Sequence, residues 1–142
     1  MIDAPDLESA IDAVRAGGLR MTTARQLLLD ALYETDQPQS AEELAARLGP
    51  GSDVASVYRN LEAFERLGLV RHAHLGHGPG LYSRTSLGER EYLICDACGA
   101  HLALDPFELD EVRELVRERF RYEARFTHFP IAGLCPRCAA ED

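Results

Sequence analysis

Apolar residues recur at helical spacing through the first half of the chain and then switch to alternation. Leu7, Ile11 and Val14 fall three and four apart, and Gly17-Gly18 closes the stretch, so residues 7–17 read as a short amphipathic helix. Thr22 or Thr23 can cap a second helix over residues 24–33, with Leu28, Ala31 and Leu32 apolar. Ser40 with Glu43 three positions on is a capping box, opening a third helix that runs to Leu48. Gly49-Pro50-Gly51 breaks it. Ser52 or Asp53 caps a fourth helix, residues 54–67, striped by Val57, Leu61 and Phe64 and stopped by Gly68.

From Leu69 the period becomes two. Residues 69–75 alternate like a strand, residues 76–80 (Gly-His-Gly-Pro-Gly) form a turn, and residues 81–84 return as a second strand. Helices followed by a two-stranded hairpin are the plan of a winged helix, with the fourth helix as recognition helix and the hairpin as wing. The second half reads as short strands at 91–94 and 100–104, and a helix opened by Asp105-Pro106-Phe107-Glu108 that buries Leu109, Val112 and Val116. A last strand follows at 125–132. The fold class expected is therefore α+β: an N-terminal winged helix-turn-helix domain over residues 1–84 and a small α/β domain over residues 85–142.

The cysteines change that picture most. The four in the chain form two C-x-x-C pairs, Cys95/Cys98 and Cys135/Cys138. Each such turn places two sulfurs on one side of an ion, and four thiolates satisfy a tetrahedral structural Zn2+ without water. Two disulfides are the alternative. The acidic start, Met1-Ile2-Asp3-Ala4-Pro5-Asp6, lacks the basic-then-apolar order of an export signal, which favours a reducing, cytoplasmic setting and hence zinc. At 142 residues the chain makes one domain or two small ones, and no apolar run reaches the roughly 20 residues of a membrane helix. The net charge of −9 runs against nucleic acid as a partner, so DNA binding must rest on a local basic cluster.

Such a cluster has a recognisable form. Ala55-Ser56-Val57-Tyr58-Arg59-Asn60-Leu61 followed by Gly68-Leu69-Val70 resembles the recognition helix and wing entry of the ferric uptake regulator (Fur) family. Gly18-Leu19-Arg20-Met21-Thr22 with Arg25, and Ser40-Ala41-Glu42-Glu43-Leu44, resemble the family's second and third helix signatures. The resemblance spans essentially the whole chain. It implies a homodimeric, DNA-binding transcriptional repressor whose second half dimerises around structural zinc. Ser56, Tyr58 and Arg59 would enter the major groove, Arg59 on guanine or phosphate and Tyr58 on a thymine methyl. Arg20 would reach the adjacent minor groove. Taken alone, Tyr58 reads better as packing and Arg59 as a solvated charge; the motif reverses that preference.

The usual sensing histidines of that family are missing. Asp36-Gln37-Pro38-Gln39 stands before the third helix and Leu87-Gly88-Glu89-Arg90-Glu91-Tyr92 before the first C-x-x-C. What remains is His72-Ala73-His74, two imidazoles on one face of a strand, with His77 nearby and His128 far along the chain. Residues 71–78 and 128–135 resemble the wing and C-terminal strand of the family's nickel-responsive branch. That resemblance implies a regulatory divalent metal, Ni2+ by precedent, at His72, His74 and His128 between the two halves. Imidazole ligands alone do not choose among nickel, zinc, copper and cobalt. Glu89, Glu91 and Asp110 are candidate further ligands, although charge runs are usually solvated faces, and His101 reads as packed beside the zinc knot rather than as a sensor ligand. Three other readings stay open: a regulator that lost the usual sensor and answers to zinc or redox state, a zinc-ribbon enzyme, and a zinc-ribbon adaptor. The enzyme is disfavoured because no catalytic set is evident and four cysteines leave zinc no open position.

Overall fold

The computed structural model describes residues 3–75, 78–127 and 129–141. Two compact units emerge, one of Met1–His74 with Pro79–Gly88, the other of Leu75–Gly78 with Glu89–Asp142. None of the helices among the described residues is long and apolar enough to cross a membrane.

The first unit is built from α1 (Leu7–Ala16), α2 (Thr23–Tyr33), α3 (Ala41–Leu48) and α4 (Val54–Arg66) with strands β1 (Gln39–Ser40), β2 (Val70–His74) and β3 (Gly80–Arg84). Each helix start is a side-chain cap. Asp6, Thr22, Ser40 and Asp53 accept from the backbone N–H three residues on, and Ser40 with Glu43 closes the full capping box. α4 ends as the glycine predicts. Gly68 takes φ 81°, its N–H reaches Glu65 O, and Leu69 N–H reaches Phe64 O at 3.0 Å. The apolar stripes converge on one core in which Phe64, Leu28, Leu29, Leu44, Leu61 and Val14 are fully buried. The wing is a sheet in the order β1-β3-β2, all antiparallel. β1 was not expected from sequence. Two buried residues, with Ser40 doubling as helix cap, leave no alternation to read.

The second unit holds β4 (Tyr92–Cys95), β5 (His101–Ala103), α5 (Asp110–Phe120), β6 (Ile131–Gly133) and α6 (Pro136–Ala140). Its sheet runs β5-β4-β6, with β4 antiparallel to β5 and parallel to β6. Three expectations are corrected here. α5 starts at Asp110, four residues later than the expected start at Pro106. Glu108 does accept from Asp105 N–H at 2.7 Å, but Phe107 sits at φ 82° and interrupts the turn. No residue of α5 is fully buried by the described residues: Val112 is exposed, and Val116, like Leu109 just before the helix, is half-buried. The final strand is Ile131–Gly133, shorter than 125–132, because Arg125, Phe126 and Thr127 make no ladder with β4.

Candidate metal centre and nucleic-acid interface

The two C-x-x-C turns come together in the second unit. Cys95 ends β4, and its N–H and C=O are held by Ala100 O and Gly99 N–H across the first knuckle. Asp96 N–H reaches Gly133 O at 2.8 Å, which ties that knuckle to β6 and so to Cys135. Cys135 caps α6, a helix the sequence reading missed, and its Sγ accepts from Cys138 N–H at 3.5 Å. Pro136 at the first helical position was the available signal. All four sulfurs lie within 4.8 Å of one another. Cys98 and Cys135 Sγ stand 3.8 Å apart. A tetrahedral zinc with bonds of about 2.3 Å has an edge of ~3.8 Å, so the thiolates present fit that ion.

The thiols are also electrostatically split. Backbone N–H groups of Cys135 and Cys98 pull Cys95 down to about 6. The hydrogen bond that the Cys138 thiol donates to Cys135, then burial, push Cys138 up to about 12. Several thiolates this close repel one another unless a cation joins them, which is the condition a divalent ion meets.

In the first unit, three of the predicted DNA-reading residues, Ser56, Tyr58 and Arg59, line up in the first turns of α4, and Arg20 lies just before α2. Asp53 accepts from Ser56 N–H at 2.8 Å and from Ser56 Oγ at 3.0 Å, and Arg59 Nη2 reaches Ser56 Oγ at 2.9 Å. The backbone and side-chain bonds from Ser56, then the Arg59 guanidinium, hold the Asp53 carboxyl below its ordinary value. Arg59 and Arg20 are exposed and Tyr58 is half-buried. The Tyr58 hydroxyl donates to Glu42 at 3.3 Å, and its ring meets Tyr82 edge-on at 6.4 Å. A link that sequence did not reveal joins these residues. Arg25 donates from Nη1 to Arg20 O at 2.7 Å and from Nε to Asn60 Oδ1 at 3.2 Å. It thereby sets the backbone under Arg20 against the recognition helix.

His72 and His74 project from one face of β2, both exposed, with ring centroids 5.8 Å apart and planes at 90°. His72 Nδ1 lies 2.8 and 2.9 Å from the two carboxylate oxygens of Glu65. His77 and His128 lie outside the described residues. Of the alternative oxygen donors, Glu91 and Asp110 are already engaged. Arg113 Nη1 reaches Glu91 Oε2 and Arg113 Nη2 reaches Asp110 Oδ1, each at 2.6 Å. Their charge is met by a guanidinium rather than left for an ion. His101 lies in β5 opposite Ile94, and both line an apolar pocket together with Cys95 and Cys135.

The comparisons with known proteins fall in one group. Residues 16–131 match the model of the "Ferric uptake regulator family". The peroxide-responsive repressor PerR of Staphylococcus epidermidis is 27% identical over 139 residues, covering 96% of this chain and 92% of its own. PerR of Staphylococcus saprophyticus is 29% identical over 135 residues, covering 93% and 90%. The Helicobacter pylori ferric uptake regulator superposes with TM-score 0.70 at 18% identity, over 94% of this chain and 93% of that one. The Vibrio cholerae ferric uptake regulator does so with TM-score 0.63 at 25% identity, over 87% and 98%.

Proposed function

This chain belongs to the ferric uptake regulator family, whose members are transcription regulators rather than enzymes, and we propose that it is a dimeric cytoplasmic repressor of metal-homeostasis genes answering to nickel. Metal- or peroxide-responsive repression is what its relatives share. The observation that carries the finer reading is the His72/His74 pair, two adjacent imidazoles on the exposed face of the wing. Imidazole is the donor that late first-row divalent ions favour. His128 is the third donor that the resemblance to the nickel-responsive branch assigns. Cys95, Cys98, Cys135 and Cys138 hold structural zinc in this reading, with no coordination position left for sensing. Arg20, Ser56, Tyr58 and Arg59 read the operator. A metal that changes DNA affinity does so by binding one arrangement of the protein better than another.

The decisive measurement is nickel binding and operator affinity of wild type beside a His72→Ala/His74→Ala protein. Wild type takes a second ion per chain beyond zinc and tightens on its operator; the double variant keeps zinc alone and does not respond. A wild type that binds no second ion ends the nickel reading. In the same gel shifts Arg59→Ala abolishes operator binding with the fold intact; unchanged affinity refutes the DNA assignment.

A second reading is favoured by the peroxide-responsive relatives and by an exposed Cys98 beside Cys135. Two thiolates and hydrogen peroxide, taking up two protons, give a disulfide and two waters, with zinc released. Peroxide that releases zinc and operator together, in a protein indifferent to nickel, selects this reading.

A further inference from the structure

The two imidazoles are not simply displayed; His72 is held by Glu65, a residue that no ligand motif contains. Glu65 lies in the last turns of α4, seven residues before His72, and the helix–wing turn folds its carboxylate back onto the ring. Both carboxylate oxygens meet the same nitrogen, Nδ1. A carboxylate can only accept, so Nδ1 must carry the proton, and in the neutral ring the lone pair is then on Nε2. Tyr82, opposite His72 in the ladder, lies against the same ring with centroids 5.5 Å apart.

The other side of the pair is made by an absence of side chain. Gly80 stands opposite His74 in the ladder. A methyl there would come within 3.4 Å of His74 Cε1, 3.7 Å of its Nε2 and 3.9 Å of His72 Cδ2. The space above Gly80 is therefore bounded by both rings, including the edge of His72 remote from Glu65.

We propose that Glu65 is the positioning carboxylate of the regulatory site, fixing the His72 tautomer and aiming Nε2 at the ion while tying that ion to the recognition helix. This rests on the reading of His72 and His74 as metal donors. A carboxylate behind a metal-bound imidazole orients the ring and raises its basicity, and its loss typically weakens metal affinity 10–100-fold. Here the carboxylate also belongs to the helix that carries Ser56, Tyr58 and Arg59. Whatever pull the ion exerts on His72 reaches the DNA-reading element through one hydrogen-bonded contact.

The test uses the zinc-loaded full chain with Ni(II) as probe. Wild type, Glu65→Gln, Glu65→Asp and His72→Ala/His74→Ala are compared by chelator competition, by the Ni(II) absorption spectrum, and by the 15N shifts of His72 in nickel-free protein. Glu65→Gln is expected to weaken Ni(II) about 10–100-fold, to alter the spectrum, and to mix the His72 tautomers, with zinc content and melting temperature unchanged. Glu65→Asp recovers part of the affinity. Glu65→Gln with wild-type affinity, or a wild-type His72 protonated on Nε2 alone, overturns the proposal. In the first case, loss of Ni(II) by the double histidine variant leaves the donor reading standing. Retention of Ni(II) by the double variant removes the donor reading and this proposal with it.

Discussion

Removing zinc should unfold one half of this molecule and spare the other. The second unit has almost no core of its own. Among the described residues its buried apolar side chains are Leu75, Cys95, Ala103 and Leu104. Leu93, Leu102, Leu115, Phe120, Phe129 and Leu134 are exposed, and no residue of α5 is fully buried. Full burial of one leucine is worth about 1.5–3 kcal/mol. Ordering backbone costs about 1–2 kcal/mol per residue, and the three strands have 4, 3 and 3 residues. Apolar burial within the chain therefore falls well short of ordering this sheet. A structural zinc contributes on the order of 10 kcal/mol, comparable to the whole stability of an ordinary domain. The first unit has Phe64, five fully buried leucines besides Leu69, and Val14 to hold it. A strong chelator should therefore abolish hydrogen-exchange protection of the Cys95, Asp96 and Leu104 amides, which bond Ala100, Gly133 and Glu91. The amides of α1–α4 should stay protected. Those helices contribute 10, 11, 8 and 13 residues against 11 and 5 for α5 and α6. Circular dichroism should accordingly lose only about a quarter of its helical signal if α5 and α6 melt fully. Zinc-free protein with a protected Cys95 amide, or one in which both units melt together, refutes the argument.

Two smaller tests bear on the first unit. Gly68→Ala forces a Cβ into the left-handed region at φ 81° and should cost about 1–2 kcal/mol. Gly51→Ala, in open space without a positive φ, should be near neutral, and thermal melts of the two variants make the comparison. Asp53 is held below its ordinary carboxylate value by the bonds from Ser56, so its folded pKa lies under its unfolded one. The stability it gives the start of α4 is full above about pH 4 and is lost as pH falls through the lower folded value. Exchange rates of the Ser56 amide should rise in that acid range, and Asp53→Asn should flatten the dependence.

The helices of the first unit were legible because their signals are local. Ser40 and Glu43, Asp53, and Gly68 each act within one turn of themselves, and each does so here. The zinc set was legible for the same reason, since spacing inside each C-x-x-C fixes half the geometry. Arg25, Glu65, Gly80 and Arg113 were not, because what they do depends on partners brought up by tertiary structure. Glu65 looks like any solvated helix charge until the turn at Gly68 returns the chain to put His72 beside it.

The misreading of α5 is of another kind. An apolar stripe says that a face is to be covered; it does not say by which chain. Val112 and Leu115 lie on a helix that the described residues leave without a fully buried side chain, in a unit whose sheet also shows Leu93 and Leu102. In the dimeric reading proposed above, that stripe is the face a second copy would cover. This gives the two cysteine pairs their place in the mechanism. Closed by four thiolates, a structural zinc would order a unit too poor in core to order itself, and that unit would offer its apolar surface to a second copy. A closed site does this by staying unchanged, so a response to metal supply has to begin at donors that remain open. In the reading proposed above those are His72 and His74, on the wing, one hydrogen bond from the helix assigned to the operator.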